Sequence, residues 1–228
     1  MTEPTYVLVH GAWHGAWSWR LLTDEFDRRG VAWRTVDLPS SHDHRDGTSD
    51  LHDDVRAVVS AVGPDEPTVL VGHSYAGAVV AEASGHLATV TGLVFIAALI
   101  PSVGQSATDV SRLGDRTDLD AAMVVDGPRL RLEPSMATAA LYGDCDALVA
   151  ADAVSQLGSQ TIASFRSKRV NPDRAVASHY IRCTHDRAID PALQTLMAST
   201  CDSMVDLASD HCPFLSHPKM CADAIVSR

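Results

Sequence analysis

Hydrophobic positions in this chain come in short runs separated by amphipathic stretches. Residues 6–9 form a brief apolar, β-rich run. Residues 18–29 place Leu21, Leu22 and Phe26 on one helical face, and Gly30 ends the pattern. Residues 33–38 predict a second strand, and the polar, turn-rich stretch 39–49 a loop. Residues 51–62 carry Val55, Val58, Val59 and Val62 at helical spacing, and Gly63-Pro64 stops them. A strand at 68–72 then runs into a small-residue helix at 75–87, and residues 90–97 predict a fourth strand. Further strands are predicted at 178–183 and 203–207, with a helix at 192–200 between them and a last helix at 218–226. Short strands alternating with helices of roughly ten to fifteen residues build a parallel sheet with helices on both faces. The predicted fold class is α/β, in a single domain.

The interval 102–174 breaks this rhythm. It is rich in Asp, Arg, Ser and Ala, holds no convincing buried strand, and shows weak helical patterns at 137–142 and 147–157. It predicts a helical insertion, or cap, above the sheet, with the core formed by residues 1–101 and 175–228.

The strongest local motif is Gly72-His73-Ser74-Tyr75-Ala76-Gly77, with a buried strand before it and a helix directly after. A serine hydroxyl becomes a useful nucleophile when it stands exposed beside a base, and a sharp strand-to-helix turn lifts it off the sheet edge. Such a turn is cramped and wants small residues on either side. Gly72 supplies one, whereas Ala76 stands where glycine is usual. The first strand ends in His10-Gly11-Ala12-Trp13-His14-Gly15-Ala16-Trp17, a glycine-rich loop that lets backbone approach a substrate. Its Ala12 N–H and the Tyr75 N–H are the candidate donors to a developing oxyanion. Trp13 is a candidate for the pocket floor, and His73, flanking the serine, is a candidate substrate contact. His10 and His14 are four apart, but the glycine-rich context argues against a helix and no third ligand is evident. No metal is expected.

An acid and a histidine should follow on later strand ends, in that order. Asp186 lies just past the fifth strand and is preferred to Asp190, which precedes Pro191 and reads as a helix N-cap. His211 follows the last strand and is preferred to His217, which adjoins Pro218 at the start of the last helix. With these assignments His211 takes the Ser74 proton and Asp186 orients the imidazole, with no cofactor required.

Composition narrows the class. The 228 residues, 46% apolar, suffice for one core, and the net charge of −11 argues against nucleic acid or an anionic membrane as partner. No basic stretch precedes the first strand, and no apolar run approaches the roughly 18 residues of a membrane span. Five cysteines without a C-x-x-C pair predict reduced thiols in a cytoplasmic protein.

Taken in order, residues 7–17, Gly72-His73-Ser74, residues 183–188 and Asp210-His211-Cys212-Pro213 resemble a small α/β-hydrolase group. That group holds plant methyl esterases, hydroxynitrile lyases and bacterial pyrethroid-hydrolase-like esterases. The resemblance implies the α/β-hydrolase fold, a mostly parallel sheet of about six strands, and a helical cap inserted after the fourth. It supports Ser74, Asp186 and His211, with Ala12 and Tyr75 as backbone oxyanion donors. The lyases of the group carry a threonine in the first loop and a lysine directly after the catalytic histidine. Here those positions are Ala12 and Cys212, which turns the expectation toward a carboxylesterase acting on small apolar esters. C–C bond or thioester cleavage on the same three residues, and a receptor that binds without turnover, are the alternatives. The expected partner is a small ester, and the expected assembly is a monomer or homodimer.

Overall fold

The computed structural model describes residues 3–41 and 47–227. Of the loop expected over 39–49, residues 42–46 lie outside the described residues, and Pro39–Ser41 form one turn of 3₁₀ helix.

Six strands form one parallel sheet: β1 (Thr5–Val9), β2 (Trp33–Val36), β3 (Thr68–His73), β4 (Val90–Ile96), then β8 (Ala177–Cys183) and β9 (Ser203–Leu207). Strands β5 (Met123–Asp126), β6 (Arg129–Leu132) and β7 (Gln160–Thr161) lie between and form a separate sheet. The main sheet runs β2-β1-β3-β4-β8-β9, so β1 and β3 lie side by side in register, with Val9 beside Gly72. That pairing brings the loop after β1 alongside the turn after β3. The central strands are buried on both faces, which is why 69–71 and 93–96 read as unbroken apolar runs rather than alternating ones.

Helices cover both faces. Helix α1 (Arg20–Arg29) ends at Gly30, whose φ of 68° is the left-handed stop that a side chain would resist. Helix α2 (Leu51–Ala61) opens on a reciprocal cap between Asp50 and Asp53. Helix α3 (Ala76–Ser84) is buried along its whole length, which explains its Ala, Gly and Val composition.

The insertion between β4 and β8 is not wholly helical, contrary to expectation. It holds short helices, including Pro134–Leu141, Ala147–Gln156 and Ile162–Arg166, together with the antiparallel sheet β5-β6-β7. β5 and β6 have four residues each and leave Val124 and Val125 exposed, so no buried run marked them. The two-residue hairpin turn between Asp126 and Arg129 is Gly127-Pro128, with Gly127 at φ 55° as the first turn position. The irregular segment leading back into β8 is strapped to α3 through Glu82, whose buried carboxylate accepts from the Val170 and Asn171 N–H groups. No helix among the described residues is long and apolar enough to cross a membrane.

Candidate active site

Ser74 sits where β3 turns into α3, with a φ of 55°. A non-glycine residue in this region costs about 1–3 kcal/mol and persists only where its surroundings hold it. Two of the three holding bonds come from the exit of β4 and one from the first turn of α3. The Ser74 N–H donates to the Ile96 carbonyl at 3.0 Å, and the Ser74 carbonyl accepts from the N–H groups of Gly77 and Leu99, both at 3.1 Å. A Cβ on Gly72 would stand 2.7 Å from the Ala76 carbonyl oxygen, and one on Gly77 2.5 Å from that of Leu99. The close approach after the serine therefore falls on Gly77, and Ala76 is accommodated at the position where glycine is usual.

The loop after β1 lies against this turn. A Cβ on Gly11 would meet His73 Nδ1 at 2.8 Å and Ser74 Cβ at 3.0 Å, so the loop backbone comes as close as an unsubstituted residue allows. Trp13 turns the chain with φ 63°. Its indole N–H donates to the Leu130 carbonyl at 2.9 Å, and its carbonyl accepts from Gly158 at 2.8 Å, which ties the first loop to the insertion. Ala12, Trp13, Ser74 and Tyr75 line one cavity of about 350 Å³. Its apolar wall comes largely from the insertion, with Met123, Leu130, Ile162 and Phe165, while Thr108, Arg112, Asp115 and Arg166 add polar groups. No backbone acceptor among the described residues engages the Ala12 or Tyr75 N–H.

One residue before the serine, the His73 ring lies 4.5 Å from that of His211, where the acid and the imidazole meet. His211 Nδ1–H donates to Asp186 Oδ2 at 2.8 Å, with both side chains nearly or fully buried. This fixes the tautomer: with its proton on Nδ1, the neutral ring keeps a lone pair on Nε2. Asp186 Oδ1 accepts from the Ala188 and Ile189 N–H groups at 2.7 and 3.0 Å. Gln194 completes the arrangement. Its Nε2 donates to Asp186 Oδ2 at 2.8 Å and to the Ile189 carbonyl at 2.9 Å, and its Oε1 accepts from the Cys183 N–H at 2.9 Å. Gln194→Ala, which leaves these buried groups short of a partner, is expected to lower stability by about 1–3 kcal/mol. It should also lower kcat more than it raises KM, as read from thermal melting beside ester hydrolysis.

The competing residues have other tasks. Asp190 caps the helix Pro191–Ala198, accepting from the Ala192 N–H at 2.9 Å. His217 is half-exposed and 4.0 Å from Asp144, and His185 is exposed. Asp210, next to the imidazole in sequence, turns to its own backbone. It accepts from the His211 N–H and the Gly143 N–H, while its N–H donates to Asp144 at 2.7 Å. These bonds clasp the His211 loop to residues 143–144 of the insertion.

His73, a candidate substrate contact, does not line the cavity. Strand alternation turns it inward, fully buried, against Trp19 and Phe214. Its Nε2–H donates to the His211 carbonyl at 3.0 Å, and burial keeps the ring neutral. His10 and His14 are hydrogen-bonding groups of the first loop. His10 bonds the Gly11 carbonyl and accepts from the Leu38 N–H, while His14 bonds the Ala12 carbonyl and accepts from the Tyr142 hydroxyl at 2.7 Å. Burial lowers His14 to about 3. Cys212 adjoins His211, yet burial pushes its thiol well up, so it stays protonated and is a poor nucleophile.

Residues 6–224 match the Alpha/beta hydrolase family, and the chain belongs to that family. Among curated proteins it is similar to the alpha/beta hydrolase nvfD of Aspergillus novofumigatus, 27% identical over 237 residues, 96% of this chain and 94% of that one. It is also similar to the polyneuridine aldehyde esterase of Rauvolfia serpentina, 25% identical over 94% of this chain and 91% of that one. Its fold superposes on a pyrethroid hydrolase from Sphingobium faniae with a TM-score of 0.81, at 21% identity, covering 99% and 97% of the two chains.

Proposed function

We propose that the protein is a carboxylesterase acting on small, largely apolar esters through Ser74, His211 and Asp186. The observation that carries this reading is the buried Asp186–His211 pair at 2.8 Å, packed against His73, the residue before a serine held at φ 55° on a cavity wall. Related proteins named esterases, including methylesterase 3 of Arabidopsis thaliana at 32% identity over 46% of this chain, support it.

Ser74 Oγ attacks the ester carbonyl while His211 Nε2 takes the hydroxyl proton. The oxyanion accepts from the Ala12 and Tyr75 N–H groups. The imidazolium is stabilised by Asp186 and returns the proton to the departing alkoxide, leaving an acyl-serine. Water repeats the sequence against the same base and releases the acid. No metal or cofactor takes part. Cys212, buried where a lysine would favour cyanide release, leaves no cation directly after the base, which supports hydrolysis over lysis. Five free cysteines fit a reducing, cytoplasmic setting. The acidic surface charge fits a small-molecule substrate rather than nucleic acid or membrane.

A p-nitrophenyl alkylphosphonate tests the reading. Ser74 Oγ should form a bond to phosphorus as p-nitrophenolate leaves, and peptide mass spectrometry should find the adduct on residue 74. An unmodified serine, or an adduct elsewhere, would sink the proposal.

A further inference from the structure

A connected chain of buried polar groups lies behind the cavity, and acyl transfer as written above makes no use of it. Asp54, on the inward face of α2, is fully buried. Its Oδ1 accepts from the Ser40 N–H at 3.0 Å, and its Oδ2 accepts from the Ser40 hydroxyl at 2.5 Å and the Tyr75 hydroxyl at 2.7 Å. Ser40 Oγ accepts from Gln160 Nε2 at 2.7 Å. Gln160 Oε1 in turn accepts from the Ser41 hydroxyl at 2.5 Å and the Trp13 N–H at 3.4 Å. The chain thus begins at the residue after Ser74 and ends at the residue after Ala12.

These are the two places where left-handed, non-glycine backbone borders the cavity: Ser74 at φ 55° and Trp13 at φ 63°. Conformations of that kind need several independent restraints to persist. The Ser74–Tyr75 peptide sets the direction of the Tyr75 N–H, and the Ala12 N–H is directed by the backbone that Trp13 turns. We propose that Asp54 is a positioning residue for the oxyanion site, its carboxylate holding the Tyr75 side chain directly and Trp13 through Ser40 and Gln160. The proposal rests on the acyl-transfer reading above.

The chemistry of Asp54 favours such a role over packing. A buried carboxylate without a cation is costly, and a neutral side chain of the same size would fill the space. What the charge adds is strength: hydrogen bonds to an ionised acceptor are roughly twice as strong as neutral ones. Desolvation raises Asp54 to about 6, against the opposing hydrogen bonds from Ser40 and Tyr75. The titratable groups facing it are Asp53 on its own helix, which pushes the same way, and Tyr75, whose hydroxyl stays protonated. Pro39–Ser41 and Ile162–Arg166 present the hydroxyls of Ser40 and Ser164 to this chain of groups. Because the folded value is raised, Asp54 is ionised above about pH 6, and the fold loses stability from this group as pH rises through that value.

Two variants and one probe test the assignment. Tyr75→Phe keeps the ring and the backbone N–H and removes only the hydroxyl. Asp54→Asn keeps an oxygen for the Ser40 N–H and turns the two hydroxyls into acceptors of weaker, neutral bonds. With p-nitrophenyl butyrate, kcat should fall about 10-fold in Tyr75→Phe and about 3-fold in Asp54→Asn, with KM within about 2-fold, the split expected for transition-state contacts. Phosphonylation of Ser74 should slow in parallel. The part of the kcat profile that Asp54 contributes near pH 6 should move up in Tyr75→Phe, which loses a hydrogen bond to the carboxylate, and be lost in Asp54→Asn, leaving the dependence on His211. Asp54→Asn should melt no lower than wild type at pH 8, so that its loss of kcat does not come from a weakened fold. Wild-type kcat and pH profiles in both folded variants would overturn the assignment, as would a loss confined to KM or one that follows melting temperature. A wild type that the phosphonate does not label at Ser74 would overturn both this assignment and the esterase reading.

Discussion

Ser74→Ala is expected to lower kcat/KM on short-chain p-nitrophenyl esters by roughly 10³-fold or more, with the melting temperature little changed. The size follows from what is removed: without Oγ there is no acyl-enzyme, and the oxyanion donors can assist only direct attack by water. The fold should tolerate the change, because the restraints on residue 74 are backbone bonds to Ile96, Gly77 and Leu99, which alanine also makes. Equal hydrolysis by wild type and variant would mean that another group attacks. Equal inertness would turn attention to C–C or thioester cleavage, or to binding alone. Lengthening the acyl chain of the ester should reduce turnover once the group outgrows the cavity of about 350 Å³.

Asp186→Asn should produce a comparable loss, about 10³- to 10⁴-fold in kcat near pH 7, without collapse of the fold. Asp186 accepts four hydrogen bonds, two from backbone N–H groups on Oδ1 and two from Gln194 and His211 on Oδ2. In asparagine the remaining oxygen stays with the backbone pair, and the amide nitrogen then faces His211. It can donate there only if the imidazole moves its proton from Nδ1 to Nε2. The ring would then present a proton, not a lone pair, to Ser74. Nitrogen-detected NMR of the imidazole would read the tautomer directly. A variant with wild-type kcat, or one in which Nδ1 stays protonated, would show that Asp186 does not set the state of the base.

β1, β3 and β4 were legible as short, largely apolar runs, and the outer strands β2, β8 and β9, which carry Arg34, Arg182 and Asp206, by their place in the alternation with helices. The Ser74 turn was legible because a β-rich run stops at a glycine and a small-residue helix begins at once. Asp186 and His211 could be chosen over Asp190 and His217 by their proline neighbours, which mark helix starts, and the bonds of Asp190 agree with that choice. What escaped was whatever depends on the direction of a single side chain. His73, next to the serine, invites a substrate role, while strand alternation turns its ring away from the serine and into the core. Gln194 reads as an ordinary polar position between Leu193 and Met197, and only the return of its helix onto β8 shows that it is buried. Asp54 did leave a trace. Leu51, Asp54, Val55 and Val58 share the buried face of α2, so an acid stands among apolar residues at core spacing. Beside Asp53 it passes for a solvated first-turn acid.

The strand order carries a consequence for how the chain is made. β4 lies in the middle of the sheet, and its far edge pairs with β8, Ile96 beside Ile181. On the ribosome, the whole insertion must be synthesised before that edge has a partner. At about 5–20 residues per second, the apolar edge of Leu93–Ile96 stays open for on the order of ten seconds. Open edges of this kind pair with other chains. Recovery of soluble protein should therefore depend on how fast and how crowded synthesis is, even for variants whose finished fold is as stable as the parent's.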